Sequence, residues 1–284
     1  MTEPNPFWRR LTKPIRDQHI NSLVSNLEIE DLVPWDRNFT FAERLIPKMQ
    51  LFSQFKTWVT PWFSGFDDLP EKYICNGNTD SLNHIFMQGK FQRVFVLENE
   101  YSYYGHLCQE LGIELIVFDP IDIDTITEQD LVCISIPNAY NGTVDQRKAV
   151  VEYLQNKNYH LYIDVAYCGL TAPFHLDIQN KTNTYFAFTF SKTLSVGFNR
   201  ISVLYSGRPI PGLAIMNKIG YINLSGVKIV NHLMRNIDCD YTYKKYHCQY
   251  LDICQDNKLT PTDCILFAHS STGEKFSVSE FYKL

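Results

Sequence analysis

Three short stretches of this 284-residue chain bring together side chains that could do chemistry. In Phe188-Thr189-Phe190-Ser191-Lys192, a lysine follows an apolar run and is flanked by hydroxyls instead of carboxylates, with Arg200 eight positions on. A lysine near other cations and without an acidic neighbour gives up its proton more readily, which makes its amine a nucleophile toward carbonyls. On a plain surface loop the same lysine would do nothing of the kind. Thr189, Ser191 and Arg200 add two hydroxyls and a guanidinium, a set suited to a phosphate. In Ile163-Asp164-Val165-Ala166-Tyr167-Cys168-Gly169, Asp164 closes an apolar run, where a carboxylate either meets a ligand or turns the chain. In Cys75-Asn76-Gly77-Asn78-Thr79-Asp80-Ser81-Leu82, Gly77 permits a tight turn before a helix that begins near Thr79. The N–H groups and dipole of such a start suit an anion, and equally describe an ordinary capped helix.

Charge is distributed unevenly around these stretches. The net charge is −5, yet residues 178–237 contain seven Lys and Arg and no Asp or Glu, which leaves −12 for the rest. That stretch is either a solvated basic face or an electropositive wall around an anionic ligand. The overall negative charge, with no visible recognition fold, argues against a nucleic-acid module. No apolar run approaches the ~18 residues of a membrane helix, so no membrane association is expected. The first twenty residues carry six charges and no apolar signal core, and none of the eight cysteines forms a Cys-x-x-Cys pair. A cytoplasmic protein with reduced cysteines is expected. Cys239, Cys248 and Cys254 with His232 and His247 lack the paired spacing of a zinc site, so no metal is expected.

The elements that would position these groups follow from hydrophobic patterning. Residues 1–72 are rich in proline and aromatics and read as an N-terminal arm of short helices broken at prolines. Beyond Tyr73, short apolar runs at Val94–Leu97, Leu115–Phe118, Leu131–Ile136, Leu161–Ile163, Tyr185–Phe188 and Ile201–Tyr205 read as buried strands. Helical patterns such as Tyr103–Leu111 and Val144–Leu154 lie between them. Alternation of this kind predicts an α/β fold, a mostly parallel sheet covered by helices. Ligands of such sheets bind beyond the carboxyl ends of the strands, where Asp164 and Lys192 fall. After Arg235 the pattern gives way to Tyr- and Cys-rich sequence, read as a small α+β part.

Thr-Phe-Ser-Lys with arginine at +8, preceded by Asp-x-Ala-Tyr-x-Gly, resembles the fold-type I pyridoxal-phosphate enzymes of the class I/II aminotransferase group. The resemblance spans about Tyr73 to Arg235. It implies a cofactor-binding large domain over 73–235, a reduced small domain over 236–284, and pyridoxal 5'-phosphate as cofactor. By the same resemblance, Lys192 would form the Schiff base with the cofactor and later move the substrate's α-proton. Asp164 would pair with the ring nitrogen, and Tyr167 would hydrogen-bond the ring's 3-hydroxyl. Asn78, Thr79, Thr189, Ser191 and Arg200 would hold the phosphate, and Tyr101 would stack on the ring. A homodimer with a shared active site is also implied.

Two departures from the family pattern stand out. Where the family has Asn-Pro-Thr-Gly, this chain reads Ile136-Pro137-Asn138-Ala139-Tyr140-Asn141-Gly142-Thr143. Ala139 takes the place of the ring-contacting asparagine, and Asn138 is the expected replacement, ahead of Asn141. Members also continue well beyond this chain's last residues, with an arginine that clamps the substrate carboxylate, whereas no arginine follows Arg235. Arg16, Arg37, Arg44 and Arg208 are the alternatives, unless the substrate is not a standard α-amino acid. The implied activity is transamination of a small amino substrate. Elimination, cyclisation or decarboxylation on the same cofactor, and a degenerate non-catalytic binder of it, are the alternatives.

Overall fold

The computed structural model describes residues 13–28, 41–119, 125–179 and 181–282. In chain order its elements begin with α1 (Gln18–Ser25), α2 (Phe41–Val59), β1 (Phe63–Ser64), β2 (Glu71–Cys75), α3 (Asn78–Gly89), β3 (Arg93–Val96) and α4 (Tyr103–Leu111). Next come β4 (Glu114–Val117), β5 (Leu131–Ser135), α5 (Asp145–Leu154), β6 (His160–Asp164), β7 (Leu176–Asp177), β8 (Thr184–Thr189) and α6 (Phe190–Thr193). The remainder are β9 (Ser202–Ser206), α7 (Pro211–Lys218), α8 (Leu224–Asn236), α9 (Tyr241–Asp256), β10 (Thr260–Pro261), β11 (Phe267–His269) and β12 (Lys275–Ser277).

Seven strands make the main sheet in the order β2-β9-β8-β6-β5-β3-β4. Every neighbouring pair is parallel except the two that involve β9. Strands β5, β6, β8 and β9 are buried along their whole length. Such strands read as continuous apolar runs because helices cover both of their faces. Along β8, Phe186 and Phe188 join the core under α2, α5 and α8, while Tyr185 and Ala187 join the core under α3, α4 and α7. The mostly parallel sheet expected from the sequence is therefore present, with helices on both faces.

The helix α2 corrects the reading of short helices broken at prolines, because it runs through Pro47 without ending. A proline inside a helix removes one N–H bond and crowds the carbonyl four residues back. Tertiary contacts compensate. Leu51, Phe55 and Val59 are fully buried in the core, and Asn231 Nδ2 on α8 donates to the Pro47 carbonyl at 3.0 Å. Trp58 packs edge-on to Phe188 at 5.9 Å and beside Phe190 at 6.1 Å, and its indole N–H donates to the Ile237 carbonyl at 2.8 Å. The expected helices around Pro34, Trp35 and Phe39 lie outside the described residues.

The smaller α+β part is α9 with the antiparallel sheet β10-β11-β12, packed around Tyr246, Tyr250, Leu266 and Phe267. Asp17, fully buried, joins it to α1: Asp17 accepts from Ile20 N at 2.8 Å and from Lys245 Nζ and Tyr246 OH at 2.6 Å each. Burial pushes the Asp17 carboxyl up, but those three donors outweigh it and hold the group below the usual carboxylate range. Among the described residues no helix is long and apolar enough to cross a membrane.

Candidate active site

Strands β5, β6 and β8 end side by side at Ser135, Asp164 and Thr189, and a cavity of about 450 Å³ opens beyond them. Ser135 pairs with Asp164, and Asp164 with Ala187, so register alone brings these ends to one edge. Asp164 lies on the floor, 4% exposed, and accepts from Asn78 Nδ2 at 2.7 Å and Ala166 N at 3.0 Å. Burial pushes its carboxyl up to about 6 against the pull of those donors. Asn78 Oδ1, beside it, is buried with no hydrogen-bond partner. Two acceptors thus share one buried corner and call for a donor that carries positive charge.

A second carboxylate reaches the same floor, and the sequence reading missed it. Glu100 accepts from Ser135 N at 3.1 Å, Ser135 Oγ at 2.5 Å and Arg147 Nη1 at 2.5 Å. Burial pushes it up to about 7, with Arg147 and Ser135 pulling the other way. A lone glutamate beside an aromatic carries no motif. Its partners lie 35 and 47 positions away in the chain, so no local spacing announces the cluster.

Lys192 lines the cavity directly after β8, on the short helix α6. Thr189 caps that helix, accepting from Ser191 N at 3.3 Å, and its hydroxyl lies 3.0 Å from Ser191 Oγ. Burial is the main cause that lowers the Lys192 ammonium to about 8, and the positive charges of Lys275 and Arg200 add to it. The amine expected from the sequence to be easily deprotonated is therefore in such surroundings.

Arg200 holds a left-handed backbone, φ 41°, and reaches the start of α3. Gly77 has φ +89°, and a Cβ built there would lie 2.5 Å from Arg200 Nη2. Only glycine permits both the turn and the guanidinium laid over it. The first turn of α3, with Asn78 and Thr79, therefore faces the cavity next to Arg200, Thr189 and Ser191. Tyr101 lines the cavity beside them, hydrogen-bonded to Thr79, and burial raises its phenol. Helix dipole, hydroxyls and guanidinium converge on one spot suited to a dianion.

The remaining wall is built by Tyr140, Ala139 and Tyr167 together with Glu274, Lys275 and Ser277 from β12 and the turn before it. Tyr167 meets the edge of Phe267 at 5.5 Å. Nine of the ten residues singled out in the sequence line the cavity: Asn78, Thr79, Tyr101, Asp164, Tyr167, Thr189, Ser191, Lys192 and Arg200. Asn138 does not. It is fully buried in its own turn, where its oxygen accepts from Tyr140 N at 2.9 Å and Asn141 N at 2.8 Å, and its NH2 donates to Asn99 O. Asn141 binds Thr143 instead, so neither asparagine faces the cavity.

The arginine alternatives fare similarly. Arg208 is bound to Asn183 and His160 at the opposite edge of the sheet, and Arg16 does not line the cavity. Arg37 and the side chain of Arg44 lie outside the described residues. A third cation on the cavity wall, besides Lys192 and Arg200, is Lys275, which no sequence motif marks.

No family model and no curated protein matches this chain. Solved structures do. The chain is similar to a PLP-bound C-S lyase from Staphylococcus hominis, with 9% identity and a TM-score of 0.68 over 91% of this chain and 73% of that one. It is also similar to an aspartate aminotransferase tetra mutant from Thermus thermophilus complexed with tryptophan, with 13% identity, TM-score 0.67, and coverage of 94% and 82%. An L-threonine-O-3-phosphate decarboxylase from Porphyromonas gingivalis follows with 13% identity, TM-score 0.63, and coverage of 91% and 79%. At such identities the likeness is one of fold, and the fold is the aminotransferase-like α/β fold that the sequence motifs imply.

Proposed function

We propose that the chain is a pyridoxal-phosphate-dependent enzyme that acts on a small amino substrate, with transamination as its reaction. The reading is carried by Asp164 and Lys192, a buried carboxylate and a lysine lowered to about 8, which line one cavity. The cavity fits the cofactor in its donor set. Asp164 with the orphaned Asn78 Oδ1 suits a protonated ring nitrogen, and the Gly77–Arg200 cradle at the start of α3 suits a phosphate. The similar solved structures include aminotransferases, a C-S lyase and a decarboxylase, which supports cofactor chemistry at an amine-bearing carbon.

Bound pyridoxal phosphate would supply an aldehyde for the amine and a ring that accepts the electron pair of a breaking bond. The chain's own groups would do the rest. Asp164, ionised by a cation at the ring position, would keep that proton in place. Thr79, Thr189, Ser191 and Arg200 would fix the phosphate, and Tyr101 and Tyr167 would bracket the ring. Lys192 would anchor the cofactor and then carry a proton at Nζ between positions of the substrate, a task served by an amine that titrates near the working pH. Ala139 supplies no polar group to the ring. We also propose that the working unit is a homodimer; Phe198, 97% exposed two residues before Arg200, is an apolar group such an interface would cover.

Purified protein incubated with pyridoxal phosphate should turn yellow, and borohydride followed by peptide mapping should place the label on Lys192. A colourless protein, or a label elsewhere, overturns the reading. Conversion of the cofactor to its amine form by amino donors supports transamination. Release of ammonia or carbon dioxide without that conversion replaces it with elimination or decarboxylation.

A further inference from the structure

Glu100 lines the cavity directly before Tyr101, and the proposed chemistry assigns it no task. Its side chain is 2% exposed. Arg147 on α5, its ion-pair partner, is itself buried and also donates to the Glu98 carbonyl at 2.8 Å. Ser135, which binds Glu100 through both N and Oγ, is the residue that pairs with Asp164 across the ladder of β5 and β6. One buried guanidinium is therefore set against two buried carboxylates, Glu100 and Asp164. The other titratable groups in electrostatic reach of Glu100 are Tyr104 on α4 and Cys133 on β5, and burial keeps both neutral by pushing them well above their usual range. A buried negative charge left over in this way is satisfied by a proton or by a cation. At the same floor Asn78 Oδ1, without a hydrogen-bond partner among the described residues, adds a further acceptor.

The hydrogen bonds of Glu100 suit either state of its carboxyl. Ionised, Oε2 accepts from Ser135 Oγ at 2.5 Å. Protonated at Oε2, it donates to that same hydroxyl oxygen, while Oε1 goes on accepting from Ser135 N at 3.1 Å and Arg147 Nη1 at 2.5 Å. No side chain has to move for the proton to come or go. We propose that Glu100 is a positioning residue that keeps a proton in the cofactor-free chain and releases it to solvent as the Asp164 corner takes in a positive charge. The inference rests on the cofactor reading above and adds a residue to it. Burial, with the Asp164 charge adding to it, holds the Glu100 carboxyl at about 7 against the pull of Arg147 and Ser135. A cation against Asp164 cancels the Asp164 field and attracts Glu100 as well, so the carboxyl drops and its proton leaves. The floor then carries two carboxylates, one matched by Arg147 and one by the incoming charge. Affinity for a cationic ring consequently rises with pH and levels off above about 7, where Glu100 has lost its proton before binding.

The test uses 4'-deoxypyridoxine 5'-phosphate, which keeps the ring and phosphate of the cofactor but has no aldehyde to bond Lys192. Proton exchange on binding is measured by calorimetry at about pH 7, in two buffers of different ionisation enthalpy, for wild type and E100Q. The amide of E100Q matches the carboxyl in shape and can keep the contacts to Ser135 and Arg147, so a purely structural role leaves the proton count unchanged. Wild type should release about half a proton more than E100Q, as expected of a group half-protonated at the outset. Its affinity relative to E100Q should rise about tenfold between about pH 5.5 and about pH 7.5. Infrared difference spectra of wild type made with isotope-labelled glutamate give a second readout that needs no variant, the loss of a protonated glutamate band on binding. Equal proton counts for wild type and E100Q, or an unchanged glutamate band, overturn the inference and leave the cofactor reading in place. Absence of any binding by wild type overturns both.

Discussion

Asp164 is a carboxylate placed where water cannot solvate it, and a stability signature follows from that cost. Its folded value near 6 lies above the ordinary 3.8, so the cofactor-free folded chain binds this proton more tightly than the unfolded chain does. Below about pH 4 both states are protonated and the group is neutral toward folding. As pH rises through 6 the folded state is penalised, by about 3 kcal/mol over the full span. The cofactor-free D164N variant should therefore match wild type near pH 4 and exceed it by about 1–3 kcal/mol at pH 8, in urea unfolding, while losing cofactor chemistry. An equal difference at both pH values would show that burial is not what perturbs Asp164. Among the site residues, those legible in the sequence sit at the ends of apolar strands or at a helix start, where a few adjacent positions carry the signal. Glu100 and Lys275 are of another kind. Lys275 reaches Ala139 across 136 positions, and no local pattern encodes a meeting at that distance.

Helix α3 shows how one backbone turn can govern a whole subsite. Gly77 supplies a conformation that other residues adopt only under strain, and its missing side chain leaves room for Arg200. Gly77→Ala should cost about 1–3 kcal/mol in stability and displace the guanidinium from the helix start. Affinity for pyridoxal phosphate, measured by equilibrium dialysis, should fall about tenfold or more, as expected for loss of a charged contact. Unchanged affinity would mean that Arg200 does not serve the phosphate. Of the strands read as buried, β4 is instead an exposed strand at the sheet edge, with Val117 62% exposed. The others were legible because strands covered on both faces leave continuous apolar runs. The long helix α2 was not, since Pro47 reads locally as a break and only its contact with α8 shows why the helix continues. Nor were β1, β7 and β10–β12, whose two or three residues are too few to display any period.

On the scale of the molecule, the most exposed large apolar side chain among the described residues, Phe198, sits on the loop that carries Arg200. Phe198 is 97% exposed and Tyr221 73%, and Asn223 ties their two loops together by donating to the Asn199 carbonyl. Large exposed aromatics are what a partner surface covers. Sedimentation of wild type should show a dimer, and Phe198→Glu should shift it to monomer. A loaded wild type that sediments as a monomer at every concentration would remove the homodimer from the proposed function. The Asp17 junction ties α1 to α9, the helix that packs against β11 and thus against the wall bearing Lys275, so α1 and that wall belong to one packed body.

Trp58 adds an optical property to this arrangement. Its indole is fixed against Phe188 and Phe190, and Phe190 stands two residues from Lys192. Light absorbed by the indole is re-emitted in the near ultraviolet, and a nearby chromophore that absorbs there takes up the energy without contact. A coloured group held at Lys192 would therefore dim the emission of Trp58, in proportion to the share of molecules that carry it.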